Sequence, residues 1–241
     1  FVDFREGGLE GVILLKKVLS EIPIRSIVLG RVEFYQDAVE IKKNIRFPRE
    51  KINELNELVK KCDGIGVSGA NENSTSVLNY YSKTTKIRAI HSSETKQSIS
   101  KSKKTTGTSE TIRALSLKPH FLIHMTHASK SDLYSAAKKT RGIVICPRAN
   151  SSLAEGIPDI ELMQKSGCTL ALGTDNVMIN SPDMFREMDF LWKVTMGLHK
   201  KRIDPKEILK MATVNGGKIL KKDIGIIQNK KIADCIFLDK H

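Results

Sequence analysis

Three stretches decide how this chain folds: Phe121-Leu-Ile-His124-Met-Thr-His127, Gly142-Ile-Val-Ile-Cys146-Pro-Arg148-Ala-Asn150 and Thr169-Leu-Ala-Leu-Gly-Thr-Asp175. Each is a short unbroken apolar run that stops abruptly at a polar, chemically capable side chain. An unbroken run of this length suits a strand covered on both faces, as in a parallel sheet, whereas a strand with one wet face would alternate. Earlier in the chain short, mostly apolar runs return at Phe1–Phe4, Ser26–Leu29, Gly64–Ser68 and Ile87–Ile90. Helical patterns separate the runs, at Leu9–Leu19, Arg49–Lys61, Asn73–Ser82, Ser109–Ser116, Lys130–Lys139 and Asp159–Lys165. Further helical stretches cover Met184–His199 and Pro205–Met211. Regular strand–helix alternation implies βαβ units. Seven such strands in series favour an α/β fold of the (β/α)8 TIM-like barrel type over a doubly wound sheet, with one strand unaccounted for.

Composition narrows the setting. The chain has 241 residues, 40% of them hydrophobic and only 5% aromatic. That is too apolar for a disordered chain and long enough for one sizeable core. No run approaches the roughly 20 apolar residues that span a bilayer. Four cysteines, none paired as Cys-x-x-Cys, make no disulfide framework, so a reduced, cytoplasmic setting fits best. The net charge of +13 comes mostly from lysines on helix faces, such as Lys60-Lys61 and Lys138-Lys139. With so few aromatics to stack bases, nucleic-acid binding is disfavoured and a solvated basic surface is the plainer reading.

The barrel is expected over residues 1–224, and residues 225–241, with two β-like runs about a Lys-rich turn, as the start of a small return β segment. Lys96–Thr108, polar, basic and nearly free of apolar residues, reads as a mobile exposed loop, with a lid over a site as the sharper alternative. The chain opens on Phe1, with no signal peptide, and closes just after the apolar run Ile236–Leu238. Both ends look cut through structure, so these residues are expected to be part of a longer protein.

In a barrel the chemistry gathers where strands end. His91-Ser-Ser-Glu94 follows one apolar run, His124-Met-Thr-His127 the next, Pro147-Arg148-Ala-Asn150 the third, and Gly173-Thr-Asp175 the last. Taken singly each has an ordinary reading: a hydrogen-bonded structural histidine, a first-turn glutamate, an aspartate N-cap. Jointly, two strand-end histidines with two carboxylates are the donor set of a divalent-metal site, zinc first and iron as the other candidate. Such an ion makes hydroxide from water at neutral pH, and a neighbouring carboxylate then moves the proton. His127 reads as structural, and His120 and His199 as incidental.

At these residues the chain resembles the amidohydrolase superfamily, and more closely its cytosine deaminase, guanine deaminase and chlorohydrolase-like branch. His91-Ser-Ser-Glu94 is similar to the branch's fifth-strand His-x-x-Glu, His124-Met-Thr-His127 to its sixth-strand His-x-x-His, and Gly-Thr-Asp175 with Ser181 to its final strand. Ala212-Thr-Val-Asn-Gly216 and Ala233-Asp234 match elements beyond the barrel. The resemblance implies that His91 and Asp175 bind the metal and that Asp175 also takes the proton of the water. It implies that His124 orients water or the substrate's reacting group, and that Glu94 shuttles protons to the substrate. Arg148 and Asn150 are candidates for contacting substrate, with loop stabilisation as the other reading. The strand Gly64–Ser68 ends without a lysine, which favours one metal over two.

One departure matters. The family's first strand carries a His-x-His pair that adds two ligands, and no His-x-His occurs here. Phe1–Glu6 aligns better with the second strand, so the first strand and its ligands are expected to lie outside these residues, leaving this piece inactive by itself. The function implied is a metal-dependent aminohydrolase acting on C–N bonds of a purine, pyrimidine or related heterocycle. The alternatives are a cyclic amide or imidazolone hydrolase, or a catalytically silent ligand-binding barrel. Exposed sheet edges would invite a homo-oligomer.

Overall fold

The computed structural model describes residues 1–198, 200 and 202–239. Seven strands form one sheet: β1 (Val2–Arg5), β2 (Ile27–Gly30), β3 (Gly64–Val67), β4 (Ile87–Ser92), β5 (Phe121–His124), β6 (Gly142–Ile145) and β7 (Leu170–Leu172). Their spatial order is their sequence order, and every neighbouring pair is parallel. The helices between them are α1 (Gly8–Ser20), α2 (Ala38–Lys42), α3 (Arg49–Lys61), α4 (Thr75–Tyr81), α5 (Lys96–Thr106), α6 (Glu110–Ala114), α7 (Lys130–Lys139), α8 (Pro147–Ser152) and α9 (Ile160–Lys165). After the sheet come α10 (Met184–Leu198), α11 (Pro205–Ala212) and α12 (Val214–Leu220). This is the partial (β/α)8 barrel that the strand count implies, with seven strands among the described residues. No helix among them is long and apolar enough to cross a membrane.

The sheet separates two cores because side chains alternate along each strand. On the helix side Val28, Ile65, Val67, Ile90, Leu122, Ile143, Ile145 and Leu170 pack with Leu58, Leu78, Leu133 and Ile208 of the helices. On the other side Leu29, Ala89, Phe121, Ile123, Cys146 and Ala171 form the barrel interior, joined by Val2, Phe4, Ile27, Ile87 and Val144. Interior space is tight where β3 passes. A Cβ on Gly66 would lie 2.5 Å from Phe4 Cδ1 and 2.9 Å from Leu29 Cβ, so only hydrogen fits there. Bulky Phe4 thus crosses a strand that carries glycine at its inward positions.

Most expected elements are found within a residue or two of their predicted bounds. The stretch Lys96–Thr108 is a correction: it is helix α5 and not a loop. Its start is capped by the Thr95 hydroxyl, which accepts from Ser98 N at 2.9 Å, and its end by Gly107 at φ 73. Capping and a single buried anchor, Ser102, hold a helix whose outer faces are all polar, which is why no apolar periodicity announced it. The short helices α2, α8 and α12 are further elements that periodicity did not reveal.

The post-barrel element Ala212–Gly216 lies beneath the sheet, where Asn215 Nδ2 donates to Leu170 O at 2.8 Å, at the start of β7 and away from the strand ends that carry chemistry. Residues 225–239 form neither helix nor strand; Ile227 and Phe237 are exposed, and Asp234 pairs with Arg25 at 3.0 Å. His199 lies outside the described residues.

Candidate active site

The inward parity of the strands runs straight into the site. In β4, Ile87 and Ala89 face the interior, and His91 follows in the same phase. Val144 of β6 is followed by Cys146, and Ala171 of β7 is followed by Gly173 and Asp175. His124 is the exception. Counting by twos from Leu122 would send it to the helix side, yet the backbone turns left-handed at His124 (φ 68) and Met125 (φ 57), and the ring lies 5.3 Å from that of His91. Ser93 (φ 52) and Asp175 (φ 58) share this conformation. Four non-glycine residues in a sparsely populated region, all where strands end, mark a site whose geometry the surrounding fold imposes.

The groups converge on one atom. His124 Nε2 lies 3.5 Å from Glu94 Oε1 and 4.0 Å from Asp175 Oδ2. His124 is 1% exposed, Glu94 29% and Asp175 21%, so the histidine forms the floor and the carboxylates stand at the mouth. The other ring nitrogen of each histidine is already engaged. His91 Nδ1 is 3.2 Å from the Val67 carbonyl, which can only accept, so Nδ1 carries the proton and Nε2 keeps a lone pair. His124 Nδ1 is 3.3 Å from Asn150 Oδ1, which holds the same tautomer with that oxygen as acceptor. Second partners of this kind orient metal-binding imidazoles. Phe4 packs edge-on against His91 at 4.7 Å and fixes the ring from the interior side.

Electrostatics follow from burial. Desolvation drives His91 down to about 4, and the neighbouring His124 adds to the shift. His124 is lowered by burial, with Asp175 opposing. Glu94 is raised by burial, with Asp175 adding to the rise and His91 opposing it. The site therefore holds neutral imidazoles, which can ligate, beside a carboxyl able to carry a proton.

The structure brings His91, Glu94, His124 and Asp175 together, with Asn150 behind His124. Arg148 is engaged elsewhere: its guanidinium lies 3.3 Å from buried Glu187 and donates to Ser181 O at 3.2 Å, tying α8 to the segment after β7. His127 pins a loop, its Nε2 2.5 Å from Glu155 O and its N–H donating to Ser93 O at 2.9 Å. His120 sits at the opposite end of the sheet, where its Nδ1 accepts from Arg88 N at 2.9 Å. Cys146 was not singled out from sequence. Its Sγ and one donor atom each of His124 and Asp175 all lie within 4.8 Å of one another. Burial, with Asp175, Glu187 and Glu94 adding, pushes its thiol well above the ordinary range. Inward parity from Val144 would have found it. A set of two imidazoles and a carboxylate with free lone pairs fits a divalent cation.

The amidohydrolase family model matches residues 7–241. A protein of Methanothermobacter thermautotrophicus described as a putative aminohydrolase is 37% identical, across 100% of this chain and 62% of its own length. A 5-methylthioadenosine/S-adenosylhomocysteine deaminase of Thermococcus sibiricus is 33% identical over 65% of this chain and 38% of its own. Among solved structures, guanine deaminase from C. acetobutylicum, with guanine bound in the active site, superposes with a TM-score of 0.79 at 16% identity, covering 95% of this chain and 60% of that one. The zinc complex of atrazine chlorohydrolase from Arthrobacter aurescens TC1 gives 0.81 at 13% identity, covering 96% and 58%. This chain thus spans about three-fifths or less of the length of each of these proteins.

Proposed function

The chain belongs to the amidohydrolase family, and from that we propose that it forms the catalytic face of a metal-dependent aminohydrolase that removes an amino group from a purine, pyrimidine or related heterocycle. The observation that carries this reading is the convergence of Glu94 and Asp175 on His124 Nε2, beside His91. The names of similar proteins support the chemistry: one deaminates methylthioadenosine, another is a guanine deaminase, and the chlorohydrolase binds zinc.

His91 and Asp175 would hold the cation, zinc first and iron second. When bound, a divalent ion acts as a Lewis acid that brings the pKa of a water to about 7. Asp175 accepts the proton of the attacking water. Glu94 gives a proton to the ring nitrogen of the heterocycle, the proton that Asp175 took from the water passes to the departing amine, and the hydroxyl left on the ring carbon returns its proton to Glu94 as the carbonyl forms. His124 Nε2 orients the reacting group, its ring direction set by Asn150. Asn150, fully buried behind His124, acts on substrate through that ring. Arg148, held by Glu187 and Ser181, stabilises the segment after β7, the other role open to it. The exposed apolar run Ile236–Leu238 supports reading residues 225–241 as the start of a separate return β segment beside a 1–224 barrel.

The test is ammonia release from a panel of aminated heterocycles by the intact enzyme. Glu94→Gln and Asp175→Asn should each lower kcat by about 100-fold or more, the scale of a lost general acid or base. Ring-opened products without ammonia would point to a cyclic amide hydrolase. Tight ligand binding with no turnover would point to a silent barrel.

A further inference from the structure

Behind Glu94 lies a buried polar cluster that composition and motif do not disclose. Glu110, 4% exposed at the start of α6, accepts three hydrogen bonds: from Ser93 N at 2.8 Å, from Ser98 Oγ at 2.6 Å and from Asn71 Nδ2 at 3.1 Å. Asn71 joins this carboxylate to Arg113, also 4% exposed, whose Nη1 donates to Asn71 Oδ1 at 3.3 Å. The same guanidinium donates from Nη2 to the carbonyls of Ala70 and Asn73, each at 2.7 Å. One carboxylate and one guanidinium therefore clamp together the segment after β3, the turn after β4, and α5.

We propose that Glu110 is a positioning residue for the proposed reaction, holding the Ser93 turn so that Glu94 faces His124 Nε2. The reasoning is local. Ser93 adopts φ 52, a conformation a serine takes only when held. Its N–H has the Glu110 carboxylate as partner, its Oγ meets Thr111 Oγ1 at 2.9 Å, and its carbonyl accepts from His127 N at 2.9 Å. Glu94 is the next residue, so the direction of its side chain is set by this turn. All three partners of the carboxylate are donors. A glutamine at 110 would turn an amide N–H₂ toward one of them, and Asn71 cannot flip to receive it without surrendering its bonds to Arg113 and to Ser98 O.

The proposal rests on Glu94 as the proton carrier, so two readouts are needed. In the intact enzyme Glu110→Gln should lower kcat about 10- to 100-fold, as loss of supporting shells does, with KM within about twofold. Glu110→Asp, which keeps the charge, should recover part of the loss. Independently of any substrate, exchange of the Ser93 amide in Glu110→Gln should quicken about tenfold or more, while Ile90 and Leu122 amides hold their protection. Thr111→Val, which keeps the charged cluster and loses the bond to Ser93 Oγ with the longer contacts to Ser92 Oγ and Met125 Sδ, should move both readouts the same way by less, and serves where Glu110→Gln does not fold. Unchanged Ser93 exchange, or an unchanged kcat in a variant with quickened exchange, overturns the proposal. Absence of turnover in the unaltered enzyme refutes the aminohydrolase reading instead, and the Ser93 exchange still decides whether the carboxylate holds the turn.

Discussion

Replacing Gly66 by alanine tests the packing that sets His91. The new Cβ would stand 2.5 Å from Phe4 Cδ1, 3.0 Å from Phe4 Cε1 and 2.9 Å from Leu29 Cβ. Ordinary carbon contacts begin near 3.5–4.0 Å, so something must move by about 1 Å. Leu29 is fully buried and anchored in β2, which leaves the Phe4 ring as the part that yields. Inserting a methyl into such a core costs roughly 1–3 kcal/mol. For a chain of this length that is a fall in Tm of about 2–12 °C, followed by circular dichroism. Phe4 is also the edge-on neighbour of His91, so the same shift loosens that imidazole. Phe4→Leu removes ring atoms from the clash. The double variant Gly66→Ala/Phe4→Leu should therefore be more stable than the sum of the two single changes predicts, by about 1 kcal/mol, within the range of coupled neighbours. A neutral Gly66→Ala, or strict additivity in the double variant, would refute the claim that Phe4 crosses β3 at this point.

Two further outcomes follow from other parts of the molecule. His120 is driven down to about 4, first by burial and then by Arg141 and Arg88. Its ordinary value is near 6.5, so between those limits the unfolded chain binds the extra proton. Its contribution is therefore complete above about 6.5 and lost as pH falls toward 4, and His120→Gln should flatten that part of a urea stability–pH profile. Zinc held at His91 and Asp175 should raise Tm through linkage, with about 2.7 kcal/mol at 100 times Kd, and His91→Ala should abolish the rise; an undiminished rise in the variant would place the ion elsewhere.

Much of the fold was legible because a parallel strand covered on both faces is a short, mostly apolar run, and all seven are, with charged interruptions at Asp3 in β1 and Arg88 in β4. Two of the four proposed catalytic and metal-binding positions were legible for a second reason. His91 and Asp175 sit on or just beyond strands whose period of two, counted from Ala89 and Ala171, already points into the barrel, whereas Glu94 is out of that phase and follows the left-handed turn at Ser93. Helix α5 was not legible, because it is held by polar contacts through Ser98 and Ser102 and carries no apolar stripe. Glu110 was not legible either, since a glutamate opening a short helix reads as an ordinary first-turn charge.

By itself, then, the sequence determined the strand–helix alternation, the parallel sheet and which strand ends carry imidazole and carboxylate, because these depend on local periodicity and residue chemistry. Only the tertiary structure decided that His124 leaves its parity through a left-handed turn, that Asn150 and Val67 choose the tautomers of the two histidines, and that Cys146 shares their space. Those outcomes depend on distances between strands and loops far apart in the chain, which are fixed only when the strands have assembled side by side around their common interior.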